Sequence, residues 1–425
     1  MPFRTIPAGL LAGLLALAGP LAAAQAPATR LTASAVEEAI LAQAPDIWAA
    51  RAAVDAAMAE LRGSGVLPDL GLEAGVNRTS ERAGSARSTE PLFGVEWELP
   101  LPGRFRSARD AARAGVARAE AALAVARVEV RTRVRILIAE LGAAEERRLI
   151  LEQQHAFAAG LADLIGLRAD LGESRELERL RARVELGQVD RELSLARAEA
   201  AGIRAALVRL SGGRLPAEFE LADPLVAPAG AVEVEALVER ALSRSPDVAR
   251  AAAERDVATA AVSLARAERS PSVVTRAQRE VELEETTTTV SAMVRLPLWN
   301  ANRAAVAAAR SRLSQAELEL EALRRGVAAS AQRLAHSYVA TRAAAERSAV
   351  EVLPAARTAR ELAELSYREG EISLIDVLDA RRAYQAAALQ DLEVRFQLHR
   401  LRVELESLTG PDLDIAAMPD ETRQP

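Results

Sequence analysis

Phe93-Gly94-Val95-Glu96-Trp97-Glu98-Leu99 sets an apolar side chain at every second position with glycine or glutamate between, and Val290-Ser291-Ala292-Met293-Val294-Arg295-Leu296 returns in the same register 197 residues later. A period of two is that of a strand with one apolar face. Leu70, Leu72, Ala74 and Val76 make a third such segment, and Val273, Thr275 and Ala277 a weaker fourth. Each is expected to be about eight or nine residues long, close to the 9–11 that cross a bilayer when tilted. A lipid-exposed sheet must close on itself, because an open edge leaves backbone groups unpaired in hydrocarbon. Four strands cannot close, and the smallest natural barrels have about eight, so several chains must contribute to one barrel. Phe93 and Trp97 on the apolar faces, with Trp299 just past the last strand, fit an aromatic belt at the headgroups. Glu73, Glu96, Glu98 and Arg295 occupy the opposite faces, as a wet lumen requires.

Outward from the strands the period changes. From Arg104 to Leu171 there is no proline, and at 1.5 Å per residue a helix of that length is about 100 Å long. Leu123, Val130, Leu137, Ala144 and Leu151 recur at heptad spacing, with Val134 and Leu141 four residues after two of them, which predicts coiled-coil packing. A second long helix is expected from 301 to 369, interrupted at Pro354, where a kink or break should fall.

The chain is one unit written twice. Ala44-Pro45-Asp46-Ile47 matches Ser245-Pro246-Asp247-Val248, Leu99-Pro100-Leu101 matches Leu296-Pro297-Leu298, and Leu180-Arg181-Ala182-Arg183 matches Leu378-Asp379-Ala380-Arg381, at offsets of 201, 197 and 198. Residues 35–212 and 235–410 are therefore read as two copies of the order helix, strand, strand, very long helix, turn, helix. A Pro/Gly-rich connector over 213–234 is expected to be irregular, and 411–425 is a tail.

Arg4, the apolar run Leu10–Leu17 and the small residues Ala22-Ala23-Ala24 have the layout of a secretory signal peptide over 1–24. No later stretch approaches the roughly 20 uncharged apolar residues of a membrane-spanning helix, so a membrane would be crossed by strands. With no cysteine there is neither a disulfide framework nor a lipid-modified cysteine. Net charge is −6 and every basic side chain is arginine, interspersed with acids, which gives nucleic-acid binding little support. His155, His336 and His399 are scattered, so no metal site and no cofactor is expected, and no catalytic motif stands in a sensible context. A periplasmic coiled-coil scaffold would explain the heptads but not the alternating segments.

Tyr367-Arg368-Glu369-Gly370-Glu371-Ile372-Ser373-Leu374-Ile375-Asp376-Val377-Leu378-Asp379-Ala380-Arg381, together with the element order, resembles the TolC family of outer-membrane efflux proteins. The Leu296-Pro297-Leu298 and Asn302-Arg303 segments are similar to the branch serving heavy-metal and other resistance-nodulation-division pumps. The resemblance implies a mixed α and β membrane protein: a homotrimer whose α-helical tunnel spans the periplasm and whose transmembrane β-barrel is twelve-stranded, four strands per chain. It implies the passive exit duct of a tripartite efflux or type I secretion system in the outer membrane and, as partners, a periplasmic adaptor and an inner-membrane transporter of the resistance-nodulation-division type. It also implies that Asp376 and Asp379 form a cation-sensitive ring at the periplasmic tip, beside Tyr367 and an acidic residue facing it, Glu178. Ile372 departs from the family, whose best-known members have arginine there, so a gate built on that arginine is not expected. Gly172 and Gly370 stand at matching turns and are expected to take left-handed backbone at helix ends. The bland alternative for Asp376 is a carboxylate favoured by the positive end of a helix.

Overall fold

The computed structural model describes residues 29–80, 87–100, 102–172, 175–226, 228, 230, 232–281, 286–296 and 302–410. The leader over 1–24, the tail 411–425 and Trp299 lie outside the described residues.

The chain runs β1 (Thr29–Leu31), α1 (Ala33–Leu41), α2 (Pro45–Gly63), β2 (Gly71–Ser80), β3 (Arg87–Pro100), α3 (Pro102–Asp170), α4 (Glu176–Leu210) and β4 (Phe219–Leu221). It continues through α5 (Val234–Arg244), α6 (Pro246–Ala267), β5 (Ser272–Val281), β6 (Thr286–Arg295), α7 (Arg303–Arg347), a π-helical turn (Ser348–Val352), α8 (Leu353–Arg368) and α9 (Leu374–Thr409). Two helices, a hairpin, a long helix and a returning helix thus occur twice. Pro45 and Pro246 open α2 and α6, where a missing N–H costs nothing because the first turn has no intrahelical partner for it.

The 69 residues of α3 span about 100 Å. Its heptad stripe packs as the sequence implies: Val130, Val134, Leu141, Ala144 and Leu151 are buried. Leu123 and Leu137 are half-buried. On the second long helix the interruption begins before Pro354. Proline lacks an N–H and its ring crowds the carbonyl one turn back, so the ladder slips into the wider π register at Ser348–Val352 before α8 resumes.

The connector is less irregular than its glycines and prolines suggest. Phe219-Glu220-Leu221 pairs in parallel with Thr29-Arg30-Leu31, and Phe219 is buried with Val36, Ile40, Val134, Leu141 and Leu207 in the largest apolar cluster. Asp223 fastens the same junction by accepting from the Ala33 amide at 2.9 Å.

The four long strands form one antiparallel sheet in the order β2-β3-β5-β6. They have 10, 14, 10 and 10 residues, longer than the eight or nine expected. Apolar alternation ends near Val76, Phe93 and Val290, but ladder hydrogen bonds do not depend on side-chain polarity, and polar residues extend each hairpin. Within one chain β2 and β6 each leave an edge open. Among the described residues no helix is long and apolar enough to cross a membrane.

Candidate functional site

Register decides which side chains share a face. Residues directly opposite in an antiparallel ladder point the same way. The row Leu72, Val95, Ala277, Val290 and the rows around it, Trp97, Thr275, Ala292 and Leu99, Val273, Val294, therefore form one apolar face. It is open on the single chain, with Leu72 at 83% and Val290 at 78% exposure. Phe93 lies on this face and is exposed, whereas the indole of Trp97 is half-buried and its N–H donates to the Pro68 carbonyl at 3.0 Å. The other face carries Glu73, Glu96 and Glu98 against Arg276 and Arg295. Arg276 Nε donates to Glu96 at 2.9 Å and Arg295 donates to Glu98 at 3.2 Å. Apolar outside and charged inside is the partition of a barrel wall around water.

Helices α3, α4, α8 and α9 run away from the sheet to a tip formed by two turns. Gly172 ends α3 with φ +77° and Gly370 ends α8 with φ +82°, the left-handed backbone that glycine adopts without a Cβ clash. At the second turn the Glu371 amide reaches back to the Ser366 carbonyl at 2.9 Å and the Gly370 amide to Tyr367 at 3.0 Å, which closes the helix end.

Asp376 and Asp379 are both exposed at the start of α9. Asp376 also has a local role that the motif Ser373-Leu374-Ile375-Asp376 makes readable: its carboxylate accepts from the Ser373 amide at 2.9 Å and the Ser373 hydroxyl at 2.6 Å, completing a capping box. Those bonds, the hydroxyl first, hold its carboxyl below the usual carboxylate range, so it stays ionised. Asp379 lies 3.6 Å from Arg382, which also donates to Glu185 on α4. Arg382 thus offsets part of the negative charge at the start of α9. Tyr367 packs beside Leu161, Ile165, Ala182, Leu374 and Leu378, while Glu178 lies in the first turn of α4. Among the described residues no hydrogen bond joins Tyr367 to Glu178, and the turn beside Glu178 is instead tied by Arg179 to Asp170 at 3.3 Å and Glu176 at 2.8 Å. Ile372 is half-buried.

Midway between sheet and tip is a polar cluster that sequence reasoning missed. Asp391 on α9 is buried at 5% exposure and accepts from the Ser348 hydroxyl of the π-turn at 2.8 Å and from Arg395 Nε at 2.8 Å. Arg395 also donates to Glu146 on α3 at 2.5 Å and to the Leu225 carbonyl of the connector at 3.0 Å. One guanidinium therefore joins α9, α3 and the connector, and its acidic partner holds the π-turn. His155 lies 3.5 Å from Asp190 of α4.

One turn beyond Arg395, burial pushes the His399 imidazole below its usual value, and Arg402 and Arg135 push the same way against Glu406. Arg135 is itself held by Glu37 at 2.9 Å and by Glu406 at 2.8 Å. A histidine depressed in the folded state binds fewer protons there than when unfolded, so its stabilising contribution is present above about pH 6.5 and is lost as pH falls toward its folded value. Trimer heat resistance should therefore decline on acidification below about pH 6.5, and His399→Gln should flatten that decline. Parallel pH profiles for parent and variant, read as the temperature at which the trimer band disappears, would exclude His399 as the cause.

The model of the family described as outer membrane efflux protein matches residues 36–213 and again 237–411. The cobalt-zinc-cadmium resistance protein CzcC of Cupriavidus metallidurans is 27% identical over 329 residues, covering 77% of this chain and 78% of that protein. Two solved structures share the fold. The outer-membrane channel OprN has a TM-score of 0.75 at 21% identity, over 89% of this chain and 90% of that one. The Campylobacter jejuni CmeC outer membrane channel has a TM-score of 0.74 at 18% identity, over 96% and 94%. With four strands of one-sided polarity above an arginine-laced helical shaft, and with both halves matched to one family, the chain belongs to the outer membrane efflux proteins and is a channel of the outer membrane whose helices extend into the periplasm.

Proposed function

We propose that three copies of the chain close a twelve-stranded barrel and form the passive exit duct of a tripartite pump, carrying divalent metal cations past an acidic constriction at the tip. The observation that carries the reading is the four-stranded sheet with two open edges, apolar on one face and lined by Glu96, Arg276, Glu98 and Arg295 on the other. A duct of this kind does no chemistry and takes its energy from an inner-membrane transporter joined through a periplasmic adaptor. Metal cargo is supported by the name of the relative CzcC and by the tip carboxylates. Threefold repetition of Asp376 and Asp379, only partly offset by Arg382, concentrates negative field where low-dielectric walls strengthen it.

Light scattering in mild detergent should give a trimer, and a monomeric mass would remove the basis of the duct. Reconstituted in a planar bilayer, the trimer should be blocked by a multivalent cation added at the periplasmic side, less so as salt rises. Asp376→Asn with Asp379→Asn should relieve most of that block. Asparagine is the right replacement because alanine at 376 would also remove the helix cap. An unaltered block in the double variant would make both residues ordinary solvated carboxylates, with Asp376 a cap alone.

A further inference from the structure

The apolar face of the sheet is not uniformly apolar. Among described side chains of the four strands, Glu73, Glu96, Glu98 and Glu280 all lie on the charged face, whereas two cations, Arg78 and Arg279, lie on the apolar one. Arg279 shares its row with Ala74, Phe93 and Thr288, and Arg78 pairs with Thr89. Both arginines are exposed, and among the described residues no hydrogen bond or ion pair engages either. Val76, Pro91 and Val281 occupy the row between them, so Arg279 is a lone charge inside an otherwise neutral stretch.

Height along the wall gives these positions meaning. α3 starts directly after β3, so Leu99 is at the periplasmic end, and the Ser80–Arg87 and Val281–Thr286 ends of the two hairpins point away from the cell. At about 3.3 Å per residue and a tilt of about 40°, Phe93 and Arg279 stand about 15 Å above Leu99, and Thr89 and Arg78 about 25 Å above it. The lipid-facing band of such barrels is about 25 Å tall, which sets Arg78 at its outer edge and Arg279 about 10 Å below that edge, a gap that an arginine side chain extended toward water covers in large part. A guanidinium so placed needs an anion at the membrane surface, and its planar fork suits phosphate.

We propose that Arg279 and Arg78 bind the phosphates of anionic lipid headgroups in the outer leaflet, six guanidinium groups around the trimer forming a collar that fixes the barrel's depth. The collar rests on the barrel reading given above. Its chemistry distinguishes a lipid from free phosphate, because Arg279 is reached only by a group anchored at the edge of the apolar band.

The test uses the full-length trimer in mild detergent, titrated with a bis-phosphorylated glucosamine lipid and followed by native mass spectrometry. Parent trimer should bind at least tenfold more tightly than the double variant Arg78→Gln, Arg279→Gln, and millimolar inorganic phosphate should not displace the lipid. Equal affinity in the two proteins overturns the collar. Displacement by inorganic phosphate overturns the lipid as occupant. Residues 282–285 include Glu282, Glu284 and Glu285; if lipid affinity is insensitive to Arg279→Gln and changes when those glutamates become glutamine, the collar is also excluded. Should the double variant fail to assemble, Arg78→Lys with Arg279→Lys keeps the charges and should keep most of the affinity, and lipid binding by the parent that does not weaken with ionic strength overturns the proposal. A monomeric parent in the same spectra would mark failure of the barrel reading instead.

Discussion

Val95→Arg should lower the amount of trimer recovered from the outer membrane by about tenfold or more, whereas Glu96→Gln should lower it by no more than about twofold. Val95 stands on the apolar face between Phe93 and Trp97, in the row with Leu72, Ala277 and Val290. It is near the middle of the lipid-facing band, where arginine costs roughly 2–4 kcal/mol, and threefold symmetry applies that cost three times in one assembly. Glu96 points the other way, to Arg276 and Arg295, and glutamine keeps an acceptor for them in a wet environment where a lost charge pair matters little. Val95→Leu should be neutral. Equal losses for Val95→Arg and Glu96→Gln, measured by outer-membrane fractionation and unheated gel migration, would mean that the two faces have been exchanged.

Arg395→Ala should be the most damaging change in the helical part of the chain. The Asp391 carboxylate is only 7% exposed and would keep the Ser348 hydroxyl as its remaining partner, Glu146 would lose both its bonds, and the Leu225 carbonyl would lose a donor. Removing one partner of a buried pair leaves an uncompensated charge and typically costs about 3–5 kcal/mol, far more than the pair contributes relative to a well-packed apolar substitute. Asp391→Asn should cost less, since an amide still accepts from Ser348 and no bare charge remains. Because unfolding of such an assembly is rarely reversible, the appropriate readout is the temperature at which the trimer dissociates at fixed heating rate. A trimer carrying Arg395→Ala that dissociates within a degree or two of the parent would show that the cluster is solvated rather than buried.

How legible this molecule is from its sequence depends on the range of the interaction. β3 and β6 are readable because Phe93–Leu99 and Val290–Leu296 alternate over a full strand, and α3 because its stripe from Val130 to Leu151 stays on one face. β5 is faint for a physical reason. Val274 is buried on the charged face while Arg279 stands on the apolar one, so hydropathy along the strand does not report the face. Gly172 and Gly370 announce themselves because few other residues tolerate their backbone. The cap made by Ser373 and Asp376 is equally local and was open to reading from the four-residue spacing. The link from Glu146 to the Asp391–Arg395 pair is not readable, since Glu146 and Arg395 are 249 residues apart and each looks like one more solvated charge on an arginine- and glutamate-rich helix. Nor is the pairing of β1 with β4, three residues each, which no periodicity can reveal.

That last pairing bears on the order in which the chain can be made. Thr29–Leu31 emerges early from a translocation pore that delivers the polypeptide from its N-terminus, yet its partner Phe219–Leu221 follows only after the entire first hairpin and the longest helix. Closing so wide a loop is entropically slow, so the leading strand waits in the periplasm with its backbone groups unpaired while α3 and α4 form from local contacts alone. Growth of the polypeptide thereby sets a timer: the first half locks when Phe219 reaches the cluster around Ile40 and Leu141. Until then the waiting strand is an exposed edge able to take up a neighbouring chain, a hazard that periplasmic chaperones are suited to suppress.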